Sequence, residues 1–182
     1  MTGVAEPDDL SDRLAKAWSF AACVHNEQKV PGSDLPYLKH LGSVVMEILT
    51  AHALLPITDL ALAATCAILH DAIEDQAVCA EELAREFGQD VADGVSALSK
   101  NLALPKAEAM ADSLARIGLQ PSAIWCVKLA DRITNLRGAP SHWSTGKIEA
   151  YRNEAGIIHD QLGPAHAILA DRLRRAIARY PD

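Results

Sequence analysis

Residues 60–75, LALAATCAILHDAIED, restrict the possible folds more than any other part of the sequence. LALAATCAIL carries no charge and is apolar on nearly every face, which suits a helix packed on all sides. Its alanines and leucines favour helix, and Thr58 or Asp59 supplies a cap to open it. Such a helix belongs at the centre of the fold, and with Ala, Leu, Ile and Val rather than aromatics carrying the apolar content, closely packed helices suit its surroundings. The chain is therefore expected to be all-α, a compact multi-helix bundle around this central buried helix.

The rest of the sequence agrees. Hydrophobic residues make up 49% of the chain and aromatics only 4%, so Ala, Leu, Ile and Val carry the core, as in closely packed helices rather than a β-sandwich. At 182 residues the chain can bury one proper core. We expect one domain over residues 1–182, with its core at about 11–179. Helices are predicted through LAKAWSFAACVHNEQ, capped by Ser11 or a nearby Asp and ended by KVPGSDLP, and from about Lys39 to about Ala53. EELAREFG and DVADGVSALSK give two more, and NLALPKAEA leads into a helix closed by Gly118. Pro121 suits the first position of AIWCVKLADRITNLR, ended by GAPSHWSTG. The last two, IEAYRNEAGIIHDQL and AHAILADRLRRAIARY, meet at Gly163 and Pro164. No repeat, low-complexity tract or linker interrupts them.

Several functions are disfavoured. A net charge of -7 opposes sequence-independent binding to nucleic acid. No run is long enough to cross a bilayer, and the acidic start MTGVAEPDDL lacks the apolar core of a signal peptide. Cys23, Cys66, Cys79 and Cys126 form no CxxC pair, and three lie in apolar stretches where a thiol acts as a small hydrophobe. Reduced thiols imply a cytoplasmic protein. There is no GxSxG elbow, no Walker A loop and no GxGxxG, and no cysteine has an activating neighbourhood.

The chemistry begins at His70 and Asp71, a polar pair that is costly to bury after LALAATCAIL unless something compensates it. A divalent cation would. With Glu74 and Asp75 four and five residues on, the helix carries His70, Asp71, Glu74 and Asp75 within an arc of about 140°, on a common side. The plainer alternative is a hydrogen-bonded core histidine followed by a solvated helix end. In VKLADRITNLR, Asp131 and Asn135 share one helical face and could complete a metal site; alternatively Asp131 pairs with Lys128 or Arg132 at the surface. His40, in YLKHLGSVV, opens an amphipathic helix, where a partly buried or capping histidine is common. Taken together, His40, His70, Asp71 and Asp131 offer two imidazoles and two carboxylates from three helices. Such a set suits Mn²⁺, Fe²⁺ or Zn²⁺, and without a thiolate nothing favours zinc.

These motifs resemble the HD superfamily of metal-dependent phosphohydrolases. More narrowly, VHNEQK, PYLKH, LHDAIED, FGQDVADGVSALSK, LPKAE and VKLADRITNLR follow the order and approximate spacing of the hydrolase domain of Rel/Spo alarmone enzymes and of the small alarmone hydrolases. The likeness runs from about Leu14 to about Leu173. HDxxED and LADRxxN are its specific parts; a bare HD is not. The resemblance implies removal of the 3′-diphosphate from ppGpp, a phosphorylated nucleotide, with one Mn²⁺. It implies His40, His70, Asp71 and Asp131 as metal ligands, and Glu74 and Asp75 as the groups that orient or deprotonate water. Asn135 would position water, metal or phosphate.

Positive charge for the substrate could come from Lys29, Lys100, Lys106, Arg132 and Arg137, each otherwise an ordinary surface cation. Lys29 follows a glutamine after which the family carries a basic residue. The sequence departs next, with Val30 where a second basic residue is usual and a somewhat short KVPGSDLP loop. Tyr151 matches a family position near the nucleotide, but at helical spacing it could equally pack against Ile157 or Trp143. An HD enzyme for another nucleotide shares the metal chemistry. A silent nucleotide-sensing HD module would have little need of Glu74 and Asp75 together. A structural helical protein must explain three motifs in order. No synthetic activity is expected.

Overall fold

The computed structural model describes residues 9–76 and 78–181, excepting the side chains of residues 106 and 107. Every regular element among the described residues is helical, and the only bridge is an isolated antiparallel pair, Lys29 with Pro36. Asp9, not Ser11, opens α1 (Leu10–Val24), its carboxylate accepting from the Ser11 N–H at 3.1 Å. α1 ends at Val24, short of the expected Gln28. There the backbone turns, with the Gln28 N–H donating to the His25 carbonyl, and the two side chains also meet, His25 Nδ1 with Gln28 Oε1 at 2.5 Å.

α2 (Leu38–Leu54) and α3 (Leu60–Leu69) follow, α3 capped by Asp59, whose Oδ1 accepts from the Leu62 N–H at 2.9 Å. Every α3 residue from Leu62 to Leu69 is buried, as its composition requires. It does not continue through Asp75. The helix stops at Leu69 and resumes as α4 (Ala72–Gln76), leaving His70 and Asp71 in the break. His70 Nδ1 donates to the Ala67 carbonyl at 2.9 Å, the acceptor that the Asp71 N–H would use in an unbroken helix. The side chain competes with the ladder and takes its partner. The expected continuous helix is thus broken at His70, though His70, Asp71, Glu74 and Asp75 still line one cavity.

α5 (Ala80–Phe87) stops at Gly88, whose φ of 99° favours glycine. α6 (Gln89–Leu98), α7 (Lys106–Gly118) and α8 (Ser122–Asn135) come next; Pro121 caps α8 from one residue outside it. α9 (Thr145–Leu162) starts three residues before the expected Ile148, because Ser144 Oγ accepts from the Lys147 N–H. A 3₁₀ turn at Gly163–Ala165 leads into α10 (Ala167–Arg179).

One continuous apolar cluster runs from Ala17 to Tyr180, with α3 packed against α1, α2, α6 and α8. α8 is buried along most of its length and also meets α2, α9 and α10. α6 can approach because position 94 is glycine: a Cβ there would sit 2.5 Å from Ile124 Cδ1 and 3.1 Å from Cys66 Sγ. All four cysteines are free; Cys66 and Cys126 are buried, whereas Cys23 and Cys79 are exposed. No helix among the described residues is long and apolar enough to cross a membrane. The mutual packing of α2, α3 and α8 brings the first turn of α2, the end of α3 and the later turns of α8 to one place.

Candidate active site

His40 stands in the first turn of α2, His70 and Asp71 in the α3–α4 break, and Asp131 on α8. Their polar atoms converge. His40 Nε2 and His70 Nε2 are 3.2 Å apart, and His70 Nε2 is 3.0 Å from Asp71 Oδ2. Asp131 Oδ1 lies 3.5 Å from His40 Nε2 and 3.8 Å from His70 Nε2, with Asp71 Oδ2 3.7 Å from His40 Nε2. The carbonyl bond at Nδ1 fixes the orientation of His70 and turns Nε2 inward.

The site is arranged for positive charge. Burial alone would lower the basicity of the His70 imidazole, but the Asp71 carboxylate more than reverses this, to about 9. Burial would raise the Asp71 carboxyl; His70 and the Tyr37 hydroxyl overcome it and hold it down at about 2. Asp131 likewise falls well below the usual carboxylate range despite burial, through Lys128, His40 and His70.

Donor atoms at about 2.1 Å from one cation stand roughly 3.0 to 3.4 Å from each other, close to the spacings here. His40, His70 and Asp131 each present a ligand atom within 4.8 Å of the others, and Asp71 adds an oxygen beside both imidazoles. These nitrogen and oxygen donors fit a divalent metal ion.

Around them lies a cavity of about 140 Å³ whose wall includes Tyr37, Glu74, Asp75, Lys100, Lys128 and Asn135. Glu74 is tied to residue 100 twice: the backbone N–H donates to Oε2 at 2.8 Å and the ammonium to Oε1 at 2.9 Å. Burial works against the Lys100 ammonium, yet Glu74 keeps its pKa raised. Asp75 Oδ2 accepts from Gln28 Nε2 at 2.7 Å, while Gln28 Oε1 is held by His25 and by Gln76 Nε2. Burial pushes the Asp75 carboxyl up, with Asp71 and Glu74 adding to it against the Gln28 bond. Asn135 Nδ2 donates to Asp131 Oδ1 at 2.6 Å.

The structure therefore gathers His40, His70, Asp71, Asp131, Glu74, Asp75, Asn135 and Lys100. Of the other cations expected near the substrate, Lys29, Arg132 and Arg137 do not line this cavity. Lys29 is exposed and paired with Asp34 at 3.1 Å. Arg132 is buried, its guanidinium 4.0 Å from the centre of the Tyr151 ring and facing Glu154, so these two residues form a packing unit outside the cavity. Tyr151 also meets Trp143, with ring centres 5.2 Å apart. Arg137 pairs with Glu47 at 3.0 Å. The Lys106 side chain lies outside the described residues.

Two contributors, Tyr37 and Gln28, were not singled out from sequence, and a third, Lys128, was expected only as a surface partner of Asp131. Tyr37 donates to Asp71 Oδ2 at 2.5 Å, and burial followed by the Asp71 charge raises its pKa, so the hydroxyl stays a donor. Gln28 positions Asp75. Lys128 pairs with Asp131 at 3.3 Å, but in the protein interior rather than at the surface. The motifs PYLKH and VHNEQK contain the first two, and the i,i+3 spacing signals the third.

The helical fold and its His/His/Asp centre are those of the HD domain family, to which the chain belongs: residues 17–166 match it. Among individual proteins, the guanosine-3′,5′-bis(diphosphate) 3′-pyrophosphohydrolase MESH1 of Xenopus tropicalis is 32% identical over 88% of this chain and 90% of its own. Its Mus musculus counterpart is 32% identical over 90% of this chain and 92% of its own. A solved structure of a metazoan ortholog of SpoT that hydrolyses ppGpp superposes with a TM-score of 0.80, at 26% identity over 92% of this chain and 94% of that one.

Proposed function

We infer that this chain hydrolyses ppGpp to GDP and pyrophosphate. The observation that carries the reading is the convergence of His40, His70, Asp71 and Asp131 beneath Glu74 and Asp75, in a chain that aligns with 3′-pyrophosphohydrolases over nearly all its length. His40, His70, Asp71 and Asp131 are the proposed ligands, Mn²⁺ is the proposed ion, and residues 1–182 act as one cytoplasmic hydrolase domain. A divalent cation held there supplies charge neutralisation at phosphoryl oxygens and lowers the pKa of water.

Asp75 is the better placed proton acceptor. Burial, with Asp71 and Glu74, makes its carboxylate more basic than usual, which favours its taking a proton, and Gln28 engages only Oδ2. Glu74 has both oxygens committed to residue 100, so it holds the Lys100 ammonium at the cavity mouth, where an anionic substrate enters. Water gives its proton to Asp75 as its oxygen bonds to the diphosphate phosphorus; the bond to the 3′ oxygen breaks, that oxygen takes a proton from solvent, and Asp75 returns its own to solvent. Asn135 orients Asp131.

A second reading keeps the site and changes the nucleotide. It draws on Lys29, which pairs with Asp34 instead of lining the cavity. One assay separates the two: metal-stripped protein resupplied with Mn²⁺, given ppGpp beside 5′-mononucleotides, cyclic nucleotides and phosphorylated dinucleotides. Metal-dependent GDP and pyrophosphate from ppGpp support the proposal. Turnover only of another nucleotide replaces the substrate, and no turnover of any compound refutes the enzyme.

A further inference from the structure

Between α2, the end of α8 and the last turns of α10 lies a second cavity of about 340 Å³, sharing no lining residue with the catalytic one. Arg172, Arg175, Ala176 and Arg179 reach it from α10 at positions i, i+3, i+4 and i+7, one stripe of the helix. Arg137 joins them from beyond α8. Glu47 is the one carboxylate among the lining residues, and Ile133, Leu136, Ala176 and Pro181 give an apolar wall. In a chain of net charge -7, four guanidiniums around one carboxylate run against the overall balance. We infer that this cavity is a second ligand site, for an organic polyphosphate of nucleotide size.

Glu47 accounts for only part of the positive charge. It is buried at 4% exposure; its Oε1 accepts from Arg137 at 3.0 Å and Arg172 at 2.7 Å, and its Oε2 from Arg172 Nε at 2.6 Å. A buried carboxylate held this way neutralises one charge and fixes two guanidiniums in space, each with N–H donors to spare. Cross-linking α2 to α10 explains Arg172, and cross-linking α2 to the end of α8 explains Arg137. Neither explains the other two. Arg175 gives one nitrogen to Asp171 at 2.8 Å, and Arg179 has no partner among the described residues. The end-of-helix dipole favours a cation in the last turn, which accounts for Arg179 alone.

The combination selects a ligand chemistry. Forked guanidinium donors match phosphate oxygens better than point charges do, and several around one space suit more than one phosphate. The apolar wall suits a flat organic group. The volume lies in the range of about 300 to 1,000 Å³ typical of small-molecule sites. None of the proposed catalytic residues is involved, and Arg137, a candidate substrate cation from sequence, has its observed partners here, so the inference does not depend on the ppGpp reading.

The test is equilibrium dialysis of the full chain at low ionic strength with GDP, and separately with inorganic pyrophosphate, comparing wild type with the R175A/R179A double variant. Both residues are exposed, so the variant should fold, and circular dichroism melting checks this. Wild type is expected to take up one more equivalent of GDP than the variant, with turnover of the hydrolase substrate unchanged between them. Ala176→Glu, which adds a carboxylate to the wall, should lose the same equivalent. Equal GDP uptake by all three proteins overturns the site. Pyrophosphate filling the arginine cavity while GDP is excluded overturns the organic part of the ligand.

Discussion

Tyr37→Phe isolates one hydrogen bond in the metal centre. The hydroxyl donates to Asp71 Oδ2 at 2.5 Å, while the ring packs between His25 and His40, each with ring centres 5.2 Å away. Phenylalanine keeps the packing and removes the donor. A hydrogen bond to a charged acceptor contributes about 1.5–3 kcal/mol, and each factor of ten in affinity is about 1.4 kcal/mol. The expected cost is thus roughly ten- to a hundredfold in metal affinity, the range for residues that orient a ligand. Acid sensitivity should change too. Burial raises the Asp71 carboxyl, and His70 and Tyr37 hold it at about 2. Without Tyr37 its pKa rises, so metal is lost at a higher pH on acidification. Chelator competition with Mn²⁺ across an acid-to-neutral series measures both effects, and melting curves should show the fold intact. Affinity and acid profile indistinguishable from wild type would refute the reasoning.

Asp75→Asn should lower turnover by about 10²–10⁴-fold with metal content unchanged, as expected for loss of a general base. Glu74→Gln should cost less, because it weakens the Lys100 contact and spares the proton acceptor; a larger loss for Glu74→Gln, by steady-state kinetics, would reverse the two roles. For metal-free protein, His70 sits at about 9 when folded against an ordinary 6.5. A raised pKa contributes stability that is complete below 6.5 and lost as pH rises through 9. Melting temperature of the metal-free protein should fall across that window. Metal uptake there should release a proton, seen by calorimetry in buffers of different ionisation enthalpy; a flat melting profile and no proton release would contradict the charge arrangement. Gly94→Ala forces a Cβ to within 2.5 Å of Ile124 Cδ1 in the packed α6–α8 contact. It should destabilise by about 1–3 kcal/mol, read by denaturant unfolding; unchanged stability would show that the core gives way there.

What was legible in the sequence is what depends on neighbours along the chain. The burial of α3 follows from LALAATCAIL, and its start from Asp59, three residues before the N–H it caps. Asp131 and Asn135 share a face because four residues make about one turn, and they do bond. The break at His70 was not legible. Helical periodicity favours continuation through Asp75, and the outcome turns on whether a side chain or the next amide wins the Ala67 carbonyl. The partners of the arginines and lysines were hidden for a different reason. Lys100 meets Glu74 across 26 residues, and Arg137 meets Glu47 across 90, so only the tertiary packing decides which cation reaches the cavity. Asp131 and Arg132 show how fine that decision is. They are adjacent on α8, about 100° apart around the helix, and both are buried. That rotation turns the carboxylate toward the two imidazoles and the guanidinium onto the Tyr151 ring, so a cation next to LAD in the sequence stands outside the cavity around the imidazoles.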